Sequence, residues 1–490
     1  MKNIILVMAA LVLNGCSEIE ETQNPEAGAA EVPVAEQPAA SAEPEEPPAK
    51  TPNEADAAKP TAQEEAIPIG TPSYTIGLAM DESGEFDIRA QVSLVNESGE
   101  PLQNLGFYFV PNVLTEEGGL DVLQDFAELE ITAVTAGGME TAYDLSGNRL
   151  IVQLPEVLEP GGEAQIQADY AMTLPENSGR LSKEGDSYFL AQWYPMLGRY
   201  NGDWMVEDFD IKGESYDAIY GDFLLEYKLP RPYLVASSAV DEADEAVTSG
   251  TLEGKMIKDF YLAFLGPDDW TAIAAEANET ELRIFMPSGT DYASKVADSA
   301  VEAFTFFEQR IGDNPAMQLD IIANNGAMEY PNIVEVRDAP EEFEPTLVHE
   351  IGHQWFYYLV SNDPFHEAFL DEGITEWASA MYLEDLGDDR AFELSRKLME
   401  HNPVRETVNM GLDEFDQGEY YSTVYGKVPL LLEEYFDANG GHEQAYEFLA
   451  AYYDEFQYEY VDTETFAAFF EQQLEGDQQT FLNSWLKLEE

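Results

Sequence analysis

Between residues 72 and 270, apolar and polar positions alternate in short runs. The clearest runs are residues 74–80, 86–95, 105–110, 150–154, 164–172, 223–229 and 256–265. Successive side chains of a strand point to opposite faces, so a period of two predicts strands with one buried and one wetted face. Gly, Asn or Asp separates several runs, as turns require. The pattern predicts a large antiparallel β region, a saddle or sandwich. Near its middle, Gln192-Trp193-Tyr194-Pro195 and then Trp204 form an aromatic cluster that reads as core.

The period changes after residue 270. Segments 282–286 and 319–323 read as strands around a helix near 291–311, where Val296, Ala300, Ala303 and Phe307 recur at helical spacing. Beyond residue 344 the chain reads as helical almost throughout. Candidate helices cover 344–359, 372–386, 389–400, 421–437, 443–455, 463–473 and 478–487. The expected architecture is α+β and multidomain, with a β-rich domain over 72–270 and a mostly helical domain over 271–490.

The first 71 residues follow neither pattern. Lys2 and the apolar run Ile4 to Leu13 are too short to span a bilayer and read as a signal peptide over residues 1–16. It ends in Leu13-Asn14-Gly15-Cys16, which resembles a bacterial lipobox, although Asn14 is an uncommon middle residue there. Cys16 is the chain's one cysteine, so neither an intramolecular disulfide nor a cysteine-built metal site can form. Lipidation of Cys16 is the expectation, with the chain held on the outer face of a cell membrane or on an outer membrane. Residues 17–71, rich in Ala, Pro, Glu and Thr, cannot bury enough surface to offset chain entropy and read as a disordered tether.

Charge changes the picture further. There are 97 acidic and 23 basic residues, for a net charge of -74. Such a chain repels nucleic acid and anionic surfaces, which removes both as partners. Residues 17–70 hold 13 of the acids, which leaves 84 in the part that must fold. That density self-repels at low salt and predicts a protein adapted to high salt, where screening is short-ranged.

The candidate chemistry lies in Val348-His349-Glu350-Ile351-Gly352-His353. Residues i and i+4 share one face of a helix, so His349 and His353 can reach one metal ion, with Glu350 beside them. Two imidazoles favour zinc over calcium or magnesium, which take oxygen ligands. A catalytic zinc needs a third protein ligand and an open position. Glu372, in Leu370-Asp371-Glu372-Gly373-Ile374-Thr375-Glu376, opens another predicted helix that can bring it opposite the histidines. Glu376, one turn on, can accept a hydrogen bond from a ligand imidazole or stand as a solvated helix acid. The expected cofactor is one zinc ion per chain.

These residues resemble the aminopeptidase N-like zinc peptidases, gluzincins whose signature is H-E-x-x-H, eighteen residues and then Glu. Upstream, Gly326-Ala327-Met328-Glu329-Tyr330 is similar to the family's Gly-x-Met-Glu-Asn segment. Downstream, Val424-Tyr425-Gly426-Lys427 is similar to its Tyr-x-Lys-Gly segment. The resemblance covers residues 260–440 and reaches weakly into the β region at Asp259-Phe260. It implies a saddle-like β domain before a thermolysin-like catalytic domain. It also implies that Glu350 is the general base, that Tyr425 stabilises the tetrahedral intermediate, and that Glu329 within its Gly326-Ala327-Met328 setting binds the substrate's free amine. Gln192 matches a glutamine that the family often places along its cleft.

Three departures stand out. Tyr330 replaces the family's Asn, and Val428-Pro429 replaces Gly-Ala. The stretch after Tyr425 is expected to make this a short form lacking the family's C-terminal helical domain. The expected activity is removal of N-terminal residues from peptides outside the cell. A zinc endopeptidase, and a non-catalytic lipid-anchored binding protein on the same fold, remain alternatives. His366, His401 and His442 read as ordinary histidines outside the site. The oligomeric state is not encoded in any feature of the sequence.

Overall fold

A computed structural model describes residues 70–488, apart from 121–122, 242–244, 325, 341–342, 389, 475 and 477. The expected signal peptide, Cys16 and almost all of the expected tether lie outside the described residues. Among the described residues no helix is long and apolar enough to cross a membrane.

The N-terminal part is β-rich. Its main sheet has ten strands, with Ser73–Met80 and Phe86–Val95 antiparallel near the centre. Alternation is what lets them form it. Tyr74, Ile76, Leu78 and Met80 are buried beside Phe86, Ile88, Ala90, Val92 and Leu94, while the residues between face outward. Ser73–Met80 also pairs in parallel with the long strand Gly221–Ser237, which continues along Leu262–Leu265. A smaller four-stranded sheet contains Leu102–Tyr108 and Arg149–Leu158. Trp193, Tyr194 and Trp204 are buried, so the aromatic cluster is core.

Segment 256–265 reads as one strand but folds as two. Val247–Ile257 ends and Leu262–Leu265 begins anew, with Met256 at a φ of 53°. Lys258 and Asp259 between them are fully buried, and the chain gives up strand pairing to carry them inward.

The second part holds a five-stranded sheet in the order Trp270–Ala277, Thr280–Pro287, Gln318–Asn324, Ile333–Arg337, Met328–Tyr330. Helix α1 (Ala293–Arg310) joins the second and third of these strands, which are parallel. Helix α2 (Phe343–Gly352) packs on α1 and on Ile333–Arg337, and helix α3 (Ile374–Asp385) packs on α2. Met328–Tyr330 is the edge strand, antiparallel to its neighbour. Further helices follow, among them Val428–Ala438 and Gly441–Phe456. The molecule is therefore a curled β domain followed by a mostly helical domain. The two are stitched together by Asp320, which takes two bonds from Arg283 (2.7 and 2.6 Å) and one from the backbone amide of Ser237 in the β domain (2.9 Å).

Candidate metal centre and active site

The helix carrying the histidines is shorter than its pattern predicts. It ends at Gly352, because Gln354 and Trp355 donate to carbonyls three residues back, at Ile351 and Gly352, and tighten the last turn. His353 still donates its backbone amide to His349 O (3.2 Å), so both imidazoles keep the same face. Gly352 permits close approach to α3, since a Cβ there would sit 2.9 Å from Thr375 Cγ2.

Glu372 stands on a widened π-helical turn, Phe369–Gly373, just before α3. Its Oε2 lies 3.1 Å from His349 Nε2 and 3.2 Å from His353 Nε2, and those two nitrogens are 3.1 Å apart. The far ring nitrogens are also held. His349 Nδ1 lies 3.1 Å from Glu376 Oε2, and His353 Nδ1 lies 3.0 Å from Phe356 O. Both of those partners are acceptors, so each Nδ1 carries the proton and each Nε2 presents a lone pair. Three donor atoms thus converge at a spacing that repels unless a metal cation or a further proton lies among them. Glu372 and Glu376, against burial, raise the His349 pKa well above its ordinary value, so that a proton there stands where a metal would. Tetrahedral zinc, with bonds of about 2.0–2.1 Å, needs donors about 3.3 Å apart. The residues fit the metal.

The electrostatics are extreme. Glu372 is buried, which raises its pKa, yet the two imidazoles outweigh burial and hold it well below the usual carboxylate range. Glu350 is pushed up to about 8, by burial first and then by Glu372 and Glu214, against the lowering effect of His349. Burial and the neighbouring Glu214, Glu372 and Glu350 push Glu329 well above its ordinary value. Among the described residues, Glu329 Oε1 and Glu350 Oε2 are buried without a hydrogen-bond partner. Each is therefore open to a group that enters the site.

Glu329 reaches this point from the edge strand. Gly326 donates to Asn324 Oδ1 (2.6 Å), and a Cβ on it would meet Glu335 Cβ at 2.9 Å, so the turn into the strand needs a glycine. Met328 is largely buried, and Ala327 continues the approach. Tyr330 is fully buried and packs on Tyr261 with centroids 4.3 Å apart, while its carbonyl accepts from Gln354 (3.0 Å). Tyr425 lies on a second π-helical turn, Ser422–Lys427, with its ring stacked on His349. Burial, then Glu372, raise its pKa well above the ordinary phenol value, so it stays a donor. Pro429 falls in the first turn of Val428–Ala438, directly after the widened turn Ser422–Lys427.

Sequence reasoning missed Glu214 and Arg180. Carboxylate oxygens of Glu214, Glu329 and Glu372 lie within 4.8 Å of one another, and Arg180 Nη2 binds Glu214 Oε1 at 2.8 Å. Both come from the β domain, and in the sequence Glu214 is one acid among 97. Its 3% exposure is the distinguishing signal, and only folding reveals it. Gln192 does not line the cleft, because it is buried and donates to Asp259 Oδ2 at 2.8 Å. His366 pairs with Asp363, His401 bonds its own helix at Lys397 O, and His442 bridges Asp385 and Glu433. None of these three joins the metal cluster.

An edge-strand carboxylate thus stands beside a two-histidine, one-glutamate cluster under a β domain. Residues 316–485 match the peptidase family M1 domain, and the chain is similar to several aminopeptidases. Aminopeptidase N of Acetobacter pasteurianus is 24% identical over 321 residues, covering 53% of this chain and 87% of that protein. Aminopeptidase B of Rattus norvegicus is 30% identical over 166 residues, covering 30% of this chain and 25% of that protein. Aminopeptidase 2 of Candida albicans is 27% identical over 138 residues, or 24% of this chain and 15% of that protein. The chain thus spans a quarter or less of the length of these last two relatives. In fold, it superposes on the M1 zinc metallopeptidase of Deinococcus radiodurans with a TM-score of 0.60 and 16% identity, over 86% of this chain and 93% of that one.

Proposed function

We propose that this protein is a zinc-dependent aminopeptidase that removes N-terminal residues from peptides outside the cell, anchored to a membrane by a lipid on Cys16. One observation carries the metal reading, namely the three donor atoms of His349, His353 and Glu372 converging within 3.2 Å of one another. When bound there, zinc supplies Lewis acidity to water and to the scissile carbonyl.

The chain's own residues supply the rest. Glu350, buried with one free oxygen, takes the proton of the attacking water and passes it to the leaving amine. Tyr425 donates to the oxygen that becomes negative. Glu329 and Glu214 face the same space and hold the substrate's ammonium by charge-assisted hydrogen bonds. Arg180 fixes the Glu214 carboxylate at 2.8 Å and opposes the upward push of burial on its pKa. A mutant of the Deinococcus neighbour has been captured with the substrate Tyr-Ser-Ala, and a two-domain M1 zinc metallopeptidase mutant of similar fold with L-tryptophan and with L-arginine. Those are the sizes of a substrate and a product of one-residue removal.

The experiment is hydrolysis of aminoacyl-nitroanilides with and without a chelator, beside digestion of matched free and N-acetylated peptides. Chelator-sensitive cleavage of free N-termini alone is expected. Equal cleavage of acetylated peptides would replace the reading with an endopeptidase. No hydrolysis at any salt, with zinc restored, would favour a binding protein. The lipobox reading of residues 13–16 supports the anchor, and Cys16→Ala is expected to release the protein from the membrane fraction.

A further inference from the structure

His353 is the more deeply buried of the two histidines, and its ring meets the edge of Tyr357, with centroids 6.2 Å apart and planes at 85°. Tyr357 follows the end of α2 and has a φ of 150°, in a range that L-residues rarely adopt. Such a backbone persists only when its surroundings over-determine it. The backbone contributes one restraint, from Tyr357 N to Val360 O at 3.0 Å. The side chain is gripped from the other domain. Tyr216 places its hydroxyl 3.2 Å from the Tyr357 hydroxyl, and Lys258 sets its ammonium 4.5 Å from the centre of the Tyr357 ring.

Tyr216 and Lys258 both belong to the β domain, and each is at most 2% exposed. Lys258 also donates to Asn362 O at 3.3 Å, in the same loop as Tyr357. Burying an ammonium has a large cost unless it is put to use, and here it clamps one aromatic ring and one carbonyl. The broken strand around Met256 is what delivers it.

We infer that Lys258 and Tyr216 are positioning residues for the metal ligand His353, acting through Tyr357, so that the β domain helps set the affinity of the metal centre. This rests on the zinc reading above. Partners that orient a metal-bound imidazole typically change metal affinity about 10- to 100-fold when removed. The effect here passes through one extra ring, so the lower end applies.

The test is zinc affinity of the full chain by chelator competition, together with melting of the metal-free and zinc-loaded forms. Lys258→Met is expected to raise the zinc dissociation constant about tenfold. Tyr216→Phe and Tyr357→Phe, which remove only a hydroxyl, are expected to raise it by a smaller and similar factor. Their double variant should do no more than either alone, because the two hydroxyls act as one contact. In each case the zinc-loaded form should lose more melting temperature than the metal-free form. Unchanged zinc affinity, with equal loss of melting temperature in both forms, would show a merely structural contact and overturn the inference. If Lys258→Met does not fold, the two phenylalanine variants decide. If the wild-type chain takes up no zinc, the metal reading itself has failed and this inference goes with it.

Discussion

The ring of Tyr425 stacks on that of His349, with centroids 5.9 Å apart and planes within 26°. The contact places a phenol against an imidazole of the candidate metal centre, on a turn widened to π geometry. Removing the hydroxyl should leave the stacking and delete a donor needed only as charge develops on the substrate. Tyr425→Phe is therefore expected to lower kcat about 10²-fold with KM nearly unchanged. Steady-state kinetics on a nitroanilide checks this, and an equal loss confined to KM would assign Tyr425 to substrate binding.

Glu350 is the next case. Its side chain is buried beside Glu329 and His353 but is not one of the three converging donors. Glu350→Gln keeps the size of the side chain and removes its basicity. Turnover should fall below detection while metal analysis still finds one zinc per chain. Loss of zinc from this variant would show that Glu350 holds the metal rather than moves a proton.

The two histidines, Glu350 and Glu372 were legible in the sequence because helical periodicity and local spacing bring them together. The strands of the β domain were legible for the same reason, as in Phe86–Val95, whose alternation survives as alternating burial. What was not legible depends on distant parts of the chain. Glu214 and Arg180 reach the site only because the β domain packs on the mostly helical domain. The loop after α2 carries Tyr357, which is gripped by Tyr216 and Lys258 of the β domain. The π turns under Glu372 and Tyr425 share a cause of this kind. A Cβ on Gly373 would meet Val428 Cγ1 at 2.7 Å, so the two turns pack against each other more closely than either segment alone would reveal.

Close approach also makes Gly352 a test of the helix pair. Its missing Cβ lets α2 lie against Thr375, whose hydroxyl is 3.3 Å from His353 Nδ1. Gly352→Ala inserts a methyl group 2.9 Å from Thr375 Cγ2. The gain in helix propensity is at most about 1 kcal/mol, and overpacking costs about 1–3 kcal/mol. A net loss of stability is expected in denaturant titration, with weakened zinc binding because Thr375 must move. A variant as stable as the wild type would mean that the helices separate freely.

His366 and Asp363 form a pair outside the metal centre, with Nδ1 and Oδ2 at 2.8 Å. The bond to Asp363 raises His366 from 6.5 to about 9, against partial desolvation, and the same pairing outweighs burial to hold Asp363 below its ordinary value. A raised histidine contributes stability that is complete below its unfolded pKa and is lost as pH climbs through the folded one. The wild type should therefore exceed His366→Gln in melting temperature by a constant margin up to pH 6.5, and the margin should vanish as pH passes about 9. The side chain is 45% exposed, so the margin should be small and should shrink with salt. A margin independent of pH would mean that packing, not charge, stabilises the loop.

Salt should act in the opposite direction on the molecule as a whole. The described residues pair few of their acids, because the chain has 23 basic groups for 97 acidic ones. Most carboxylates therefore face others of the same sign across water. Their repulsion favours the unfolded chain, where the charges stand further apart. Raising ionic strength from about 0.1 M to 1 M shortens the screening length from about 10 Å to about 3 Å, which removes most of that repulsion. Surface ion pairs such as Arg89–Asp169 weaken at the same time, but exposed pairs contribute little at any salt. The melting temperature should thus rise with sodium chloride, steeply at first and then more slowly. A urea midpoint measured in the same series should move in parallel. Sulfate would strengthen apolar burial as well, so chloride is the cleaner probe of charge. A melting temperature flat in chloride would mean that the acids are already neutralised by protonation or bound cations, and adaptation to high salt would lose its physical basis.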